Sequence, residues 1–440
     1  MSRRRIVVIG AGASGVITAA QLMARKPGPH VLLVDGARFG PGLAYATADK
    51  THLLNVRAAN MSAYAGKPDD FARWARAKGV SPESFAPRAV YGAYLKNVLA
   101  RAERARIFDR LKRIRGAAVS CRVAPGAWHV GLASGALLEA DAVVLALGAA
   151  PPSPIRVFEE AGVPVLDPWD APRLRRIRRG DVLLMGAGLT MIDAALSLAA
   201  RSRTGTIYAI SRRGQIPRAH LDLPAPPTQQ ELRIPAQLSD AVRAFRSSVA
   251  AMAARGEPWQ LAIDRLRADT PALWQALPLE AKRRFVRHLR VWWDVHRHRA
   301  APESAARANE MLASGKLRVL AGDVVSAARG KRGFEIYHRQ RGSFVRHRLD
   351  VSAVINCTGA EPNITRSADP LIRQLLDEGV GRAHPSGFGL DLDSEARLVA
   401  ASGLTQPNLF AIGALTQGAF WESIAIPEIR ARAAAIAQRF

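Results

Sequence analysis

Arg5-Ile6-Val7-Val8-Ile9 runs directly into Gly10-Ala11-Gly12-Ala13-Ser14-Gly15. A short apolar run that meets glycine at once reads as a buried parallel strand turning into a helix near Ser14. Gly10 permits the tight turn, Gly12 lets the backbone approach a pyrophosphate, and Gly15 lets the helix pack closely on the strand. Ala13 and Ser14 lie where the first amides of the helix face the phosphates. A second strand, His30 to Val34, ends at Asp35, twenty positions after Gly15. A carboxylate there can accept hydrogen bonds from ribose hydroxyls. Strand, glycines, helix, strand and acid together specify a dinucleotide site, where a lone GxGxxG is weak. The same glycines interrupt the apolar run behind Arg3, Arg4 and Arg5, so this start is not read as a secretion signal.

The design recurs. Asp181 to Met185 is an apolar strand, followed by Gly186-Ala187-Gly188-Leu189-Thr190-Met191 and a helical pattern through Ala200. A further strand, Thr206 to Ile210, ends at Ser211-Arg212-Arg213-Gly214. Gly186 precedes Ser211 by 25 positions, the spacing of Gly10 and Asp35. An acid at this point would repel a 2′-phosphate, whereas Arg212 or Arg213 can pair with one bidentately. The second copy therefore reads as an NADPH site, with NADH as the alternative if the two arginines are only solvated. Met191 stands where the third glycine would be, so helix and strand are expected to pack less closely there.

Each copy is followed by similar material. Arg115 to Val130 and Asp141 to Leu147 read as strands ending at Gly148-Ala149-Ala150-Pro151. Arg318 to Tyr337 and Asp350 to Asn356 do likewise, ending at Thr358-Gly359-Ala360-Glu361-Pro362. Two strands ending in glycine, small residue and proline imply two crossings between domains. The expected fold is α/β, with two Rossmann-like dinucleotide-binding domains, the second inserted into the first. The expected partition is 1–155 for the first part of the FAD domain, 156–350 for the NAD(P)H domain and 351–440 for the rest of the FAD domain. FAD is assigned to the copy with Asp35, NADPH to the copy with Arg212. Residues 218–316 form a helical excursion within the second domain.

Further motifs carry a family resemblance. They include Gly40-Pro41-Gly42-Leu43-Ala44-Tyr45, His52-Leu53-Leu54-Asn55-Val56, Asn60-Met61-Ser62, Pro87-Arg88 and Tyr91-Gly92-Ala93-Tyr94-Leu95. Asn408-Leu409-Phe410-Ala411-Ile412-Gly413 and Trp421-Glu422-Ser423 complete them. The chain resembles the bacterial FAD-NAD(P)-binding family that includes a FAD-dependent urate hydroxylase, and more distantly the flavin-containing and N-hydroxylating monooxygenases. The resemblance implies that Gly413 closes the FAD site and that Asn55 and Met61 sit beside the flavin ring. Ordinary core packing is the other reading of Met61, and a structural Arg–Glu pair is the simplest reading of Glu422.

Within the excursion, Phe285, Leu289, Trp292 and Trp293, with His296 as a further member, recur at helical spacing and are expected to form a buried face. Arg297 and Arg299 are expected to face nucleotide phosphates or an anionic substrate. His296 and His298 point apart on a helix, and no metal site is expected.

The 440 residues carry 63 Lys and Arg against 37 Asp and Glu, a net charge of +26. The arginines are scattered, so a nucleic-acid footprint is not favoured. No apolar run is long enough for a membrane span. Two cysteines, Cys121 and Cys357, form no CxxC pair, which argues against a dithiol reductase and fits a cytoplasmic protein. The expected activity is NADPH-dependent FAD monooxygenation of a small, anionic or amine substrate, with urate the first suggestion of the resemblance. The alternatives are a flavin oxidoreductase without oxygen insertion and a redox-sensing flavoprotein. The sequence assigns neither a catalytic residue nor an oligomeric state.

Overall fold

The computed structural model describes residues 4–104, 110–200, 205–228 and 232–440. Its strands are β1 (Arg5–Ile9), β2 (His30–Asp35), β3 (Leu111–Arg115), β4 (Ala118–Ala124), β5 (Ala127–Leu132), β6 (Leu137–Ala140), β7 (Ala142–Leu145) and β8 (Val165–Leu166). They continue with β9 (Val182–Met185), β10 (Ile207–Ser211), β11 (Leu317–Gly330), β12 (Gly333–Gln340), β13 (Arg346–Val351), β14 (Ala353–Asn356), β15 (Arg397–Val399) and β16 (Thr405–Ala411).

Two sheets organise the chain. The first has the order β15-β16-β7-β1-β2-β3, with β1 parallel to both β2 and β7. Its central strands are buried on both faces, as a parallel sheet requires. Ile6, Val8, Val31 and Leu33 face helices α1 (Ala13–Met23), α2 (Arg88–Arg104) and, from the C-terminal end of the chain, Ile426–Ala437. Val7, Ile9, Val34, Val143 and Leu145 face the other side, which the three-stranded sheet β4-β5-β6 covers through Trp128, Val130 and Leu132. The region Arg115 to Val130 thus splits: Leu111–Arg115 edges the main sheet, and the rest folds as an antiparallel meander.

The second sheet has the order β13-β12-β11-β10-β9-β14-β8. Helix α3 (Leu189–Ala199) packs Met191, Ile192, Ala195 and Leu198 over Val182, Leu184, Ile207 and Ala209. The chain enters this sheet at β8 and leaves it after β14. Ala353–Asn356 lies between β9 and β8, parallel to both, so these residues belong with the second sheet. The expected change of domain at 350/351 therefore falls too early. The physical reason is the apolar run itself: it fills an interior strand position that would otherwise expose the edges of β9 and β8.

The excursion is helical as expected, with segments from Leu238–Ala254 to Pro302–Ala313. Its helix α4 (Arg290–Arg297) turns Val295 inward, and Phe285 and Trp293 pack near Trp274, Phe388 and Trp421. The expected apolar face is only partly right, because Trp292 is 42% exposed. Among the described residues no helix is long and apolar enough to cross a membrane.

Candidate functional site

The two glycine turns are built alike. Gly10 has a φ of +99° and Gly186 a φ of +108°, a region that side chains disfavour. Each presses against the strand that leaves its own sheet. A Cβ on Gly10 would lie 2.3 Å from the Ala146 carbonyl oxygen, and one on Gly186 would lie 2.4 Å from that of Cys357. The Gly10 amide donates to Val34 O, and the Gly186 amide to Ile210 O, each at 2.8 Å. Turn, outgoing strand and second strand therefore meet identically in both domains.

The helices that follow begin at Gly12 and Gly188, both extended and both without a side-chain cap or a first-turn acid. Their first amides, those of Ala13, Ser14 and Gly15 and of Leu189 and Thr190, make the positive end of a helix dipole. Gly15 packs so tightly that a Cβ would fall 1.8 Å from Gly10 O. Around Gly188 nothing lies within 4 Å of a Cβ position, which leaves room for a phosphate. Gly413 arrives from β16 beside the first helix, where its Cβ would come within 2.9 Å of Ser14 Oγ. Ser423 Oγ and Thr416 Oγ1 both donate to Gly413 O, fixing that turn.

Residues 7–150 match the FAD-NAD(P)-binding family model. Among solved structures, the chain is similar to the ornithine hydroxylase of Pseudomonas aeruginosa, at 15% identity and a TM-score of 0.67, covering 100% of this chain and 98% of that one. The L-lysine 6-monooxygenase of Pseudomonas syringae follows at 16% identity and a TM-score of 0.64, with 99% of each chain covered. A thioredoxin reductase from Lactococcus lactis matches at 12% identity and a TM-score of 0.56, covering 99% of this chain and 97% of that one. No curated protein matches the sequence. The chain thus has the mixed α/β, Rossmann-type fold of two-dinucleotide flavoenzymes.

Asp35 and Ser211, at matching ends of β2 and β10, do different work. The Asp35 carboxylate accepts the Ala11 and Ala37 amides, each at 2.7 Å, and so holds the first glycine turn. Ser211 Oγ accepts the Gly214 amide at 3.1 Å. Arg212 is exposed, and Arg213 is half-buried with its guanidinium over the Trp292 ring.

The two crossings meet. Ser153 donates to Glu361, and Gly148 and Ala360 to Pro362 form one wall of a cleft. Gly148 and Gly359 both have positive φ with open space where a Cβ would be. The opposite wall is Arg290 and Asp294 on α4, with His298 just beyond it. Asp294 lies 3.2 Å from Arg290 and 3.7 Å from His298. Burial pushes its carboxyl above the usual range, against the pull of His298 and Arg290. The Asp294 carboxyl and the His298 imidazole can hold and pass a proton at the cleft, with Arg290 as a fixed positive charge beside them, and the sequence assigned them no role.

Other expectations need correction. Met61 is 1% exposed within the first core and presents no surface to a flavin; core packing is its role. The Asn55 backbone carbonyl meets His220 Nε2 at 3.0 Å and ties the motif segment to the loop after β10, a main-chain contact that does not bear on its side-chain amide. Arg297 and Arg299 do not face a cleft. Arg297 pairs with Glu422 at 2.9 Å, with side chains 8% and 4% exposed, and Arg299 pairs with Asp264. Both guanidiniums are internal, Arg297 against the buried Glu422 carboxylate and Arg299 against Asp264, whose side chain is 50% exposed. Glu422 also accepts Trp293 Nε1–H at 3.0 Å, which supports the simple reading of that acid as a structural partner. Burial pushes the Cys121 thiol up to about 12 and the Cys357 thiol still further, so neither is poised as a nucleophile.

A polar seam joining the domains also escaped the sequence reading. His52 Nε2 bonds Ser197 Oγ at 2.8 Å, Ser197 donates to Asp49 at 2.6 Å, and Arg88 pairs with Asp193. The available signal was Asp193 and Ser197, four apart on an otherwise apolar helix.

Proposed function

We propose that the chain is an NADPH-dependent FAD monooxygenase that inserts one oxygen atom from O2 into a small organic substrate. The observation that carries this is the doubled glycine turn: two uncapped helix starts, one closed by Gly413 and Asp35, the other open and followed by Arg212 and Arg213. The first fits FAD, whose pyrophosphate would lie at Gly12 to Gly15 with Gly413 alongside. The second fits NADPH, with phosphates at Gly188 to Thr190 and the 2′-phosphate near the two arginines. Bound FAD supplies hydride acceptance and oxygen activation. The chain itself orients the nucleotides, excludes water through the aromatic packing around Trp421, and handles protons at Asp294 and His298.

A dithiol reductase has the same fold, but both cysteines are buried and neither has a neighbouring partner thiol. Urate is suggested by the family resemblance, and primary amines by the names of the ornithine and lysine enzymes. A panel of urate, ornithine, lysine and a diamine, read as coupled NADPH and O2 consumption, tests the proposal. One substrate should stimulate both together. Turnover that requires only an electron acceptor would establish the flavin oxidoreductase instead. Negligible turnover with steeply salt-dependent binding to DNA would favour the redox-sensing reading.

A further inference from the structure

The turn that ends the second glycine copy is held by the helical excursion as well as by its own sheet. Gly214 packs on Ala321, where a Cβ would come within 3.1 Å. The chain then pairs with the end of α4: Arg218 N donates to Val295 O and Ala300 N to Arg218 O, each at 2.9 Å, and His220 N donates to Ala300 O at 3.0 Å. These bonds fix α4 relative to β10. They bring Trp292 over Arg213, with the guanidinium carbon 5.8 Å from the ring centroid.

Trp292 is unlike its neighbour. Trp293 is half-buried and hydrogen-bonded to Glu422, whereas Trp292 keeps 42% of its surface exposed. Core packing therefore does not account for an indole at this position. Its evident contact is the cation from the adjacent domain element. A guanidinium on an aromatic face loses side-chain freedom while its N–H edge stays open to an anion. Arg212, next in the chain, is exposed.

We infer that Trp292 is a positioning residue for 2′-phosphate recognition: it holds the Arg213 guanidinium in place for the phosphate, while Arg212 contributes an unrestrained second charge. This rests on the reading of the second glycine copy as the NADPH site. The helical excursion is then part of coenzyme selection through one side chain. The gain from a surface cation–π contact is modest, roughly two- to fivefold in affinity.

Calorimetric binding of NADPH, NADH and 2′,5′-ADP to the flavin-loaded protein tests the inference without reference to turnover. The wild type should prefer NADPH and bind 2′,5′-ADP. Trp292→Ala should lose roughly two- to fivefold of the NADPH affinity while NADH binding stays unchanged. Trp292→Phe should keep most of the preference, because an aromatic face remains. Arg213→Ala should lose about tenfold or more, and adding Trp292→Ala to it should change nothing further. An unchanged NADPH-to-NADH ratio in Trp292→Ala, or equal losses for both nucleotides, would overturn the inference and leave the NADPH reading intact. A wild type with no preference for the 2′-phosphate would overturn that reading and the inference together.

Discussion

The Arg88 guanidinium meets the Asp193 carboxylate at 2.7 Å, and the two side chains, 15% and 9% exposed, come from different nucleotide domains. Arg88 starts α2 of the first domain and is itself anchored to the motif segment, through its amide to His52 O and its Nε to Leu53 O. Asp193 lies on α3, the helix whose start would face the second nucleotide. The pair therefore fixes the helix after the second glycine turn relative to the first domain. Removing one partner leaves the other charge buried, so Arg88→Ala or Asp193→Ala should each cost about 3 kcal/mol in urea unfolding. The Arg88→Met, Asp193→Leu double variant should cost much less than the sum. Additive losses would show that the pair is not coupled.

The glycines separate shape from ligand space. Gly15→Ala places a methyl against Gly10 O and should reduce stability by about 1–3 kcal/mol or more, with loss of bound flavin. Gly188→Ala meets no protein atom within 4 Å, and its φ of −85° suits alanine. Its melting temperature should match the wild type while the KM for NADPH rises several-fold. A Gly188→Ala protein with unchanged KM would remove the second turn from coenzyme binding.

Arg297 is expected to act on stability and not on coenzyme affinity. Its pair with Glu422 joins the excursion to the C-terminal turn after Gly413. Arg297→Ala should lower unfolding free energy by about 3 kcal/mol, with the KM for NADPH little changed in the folded fraction. A large KM effect at normal stability would restore the exposed, phosphate-facing role.

Acid should unfold the first domain through Asp70. Burial works against its charge, but hydrogen bonds from Arg101 at 3.0 and 2.6 Å and from Tyr94 at 2.7 Å outweigh it and hold the carboxyl below its ordinary value. The folded pKa lies below the unfolded one, so this stabilisation is fully present above about pH 4 and is lost as pH falls through the folded pKa. Asp193 has the opposite sign. Burial, larger than the pull of Arg88, raises its pKa, so its contribution declines as pH climbs from the unfolded value. Asp70→Asn should flatten the acid limb of a stability–pH profile below about pH 4. An unchanged acid limb would assign that sensitivity elsewhere.

The parts of the site legible in the sequence are those made of backbone. Gly15 is required by a local contact with Gly10 O, and Gly10, Gly186 and Gly413 by turns with positive φ, and such backbone demands leave glycines at fixed positions after apolar strands. The β14 strand was visible as an apolar run, but its membership of the second sheet depends on a neighbour nearly two hundred residues away. Side-chain partners were harder still. Arg297 and Arg299 looked like free cations because Glu422 and Asp264 reach them only through the tertiary fold. Met61 sits in one of the stretches that carry the resemblance yet packs in a core, and nothing in its spacing distinguishes those fates. Arg290 and Asp294, with His298 just past the helix end, face the cleft from a segment whose aromatics draw attention first.

The most direct measurement is turnover of the flavin-loaded protein with NADPH under 18O2, followed by mass spectrometry of the product from the best substrate in the panel. The product should carry one 18O atom, with one NADPH oxidised per product and the remaining oxygen atom recovered as water. NADPH oxidation that yields only peroxide or a reduced acceptor, with no 18O in any organic product, would contradict the monooxygenase reading.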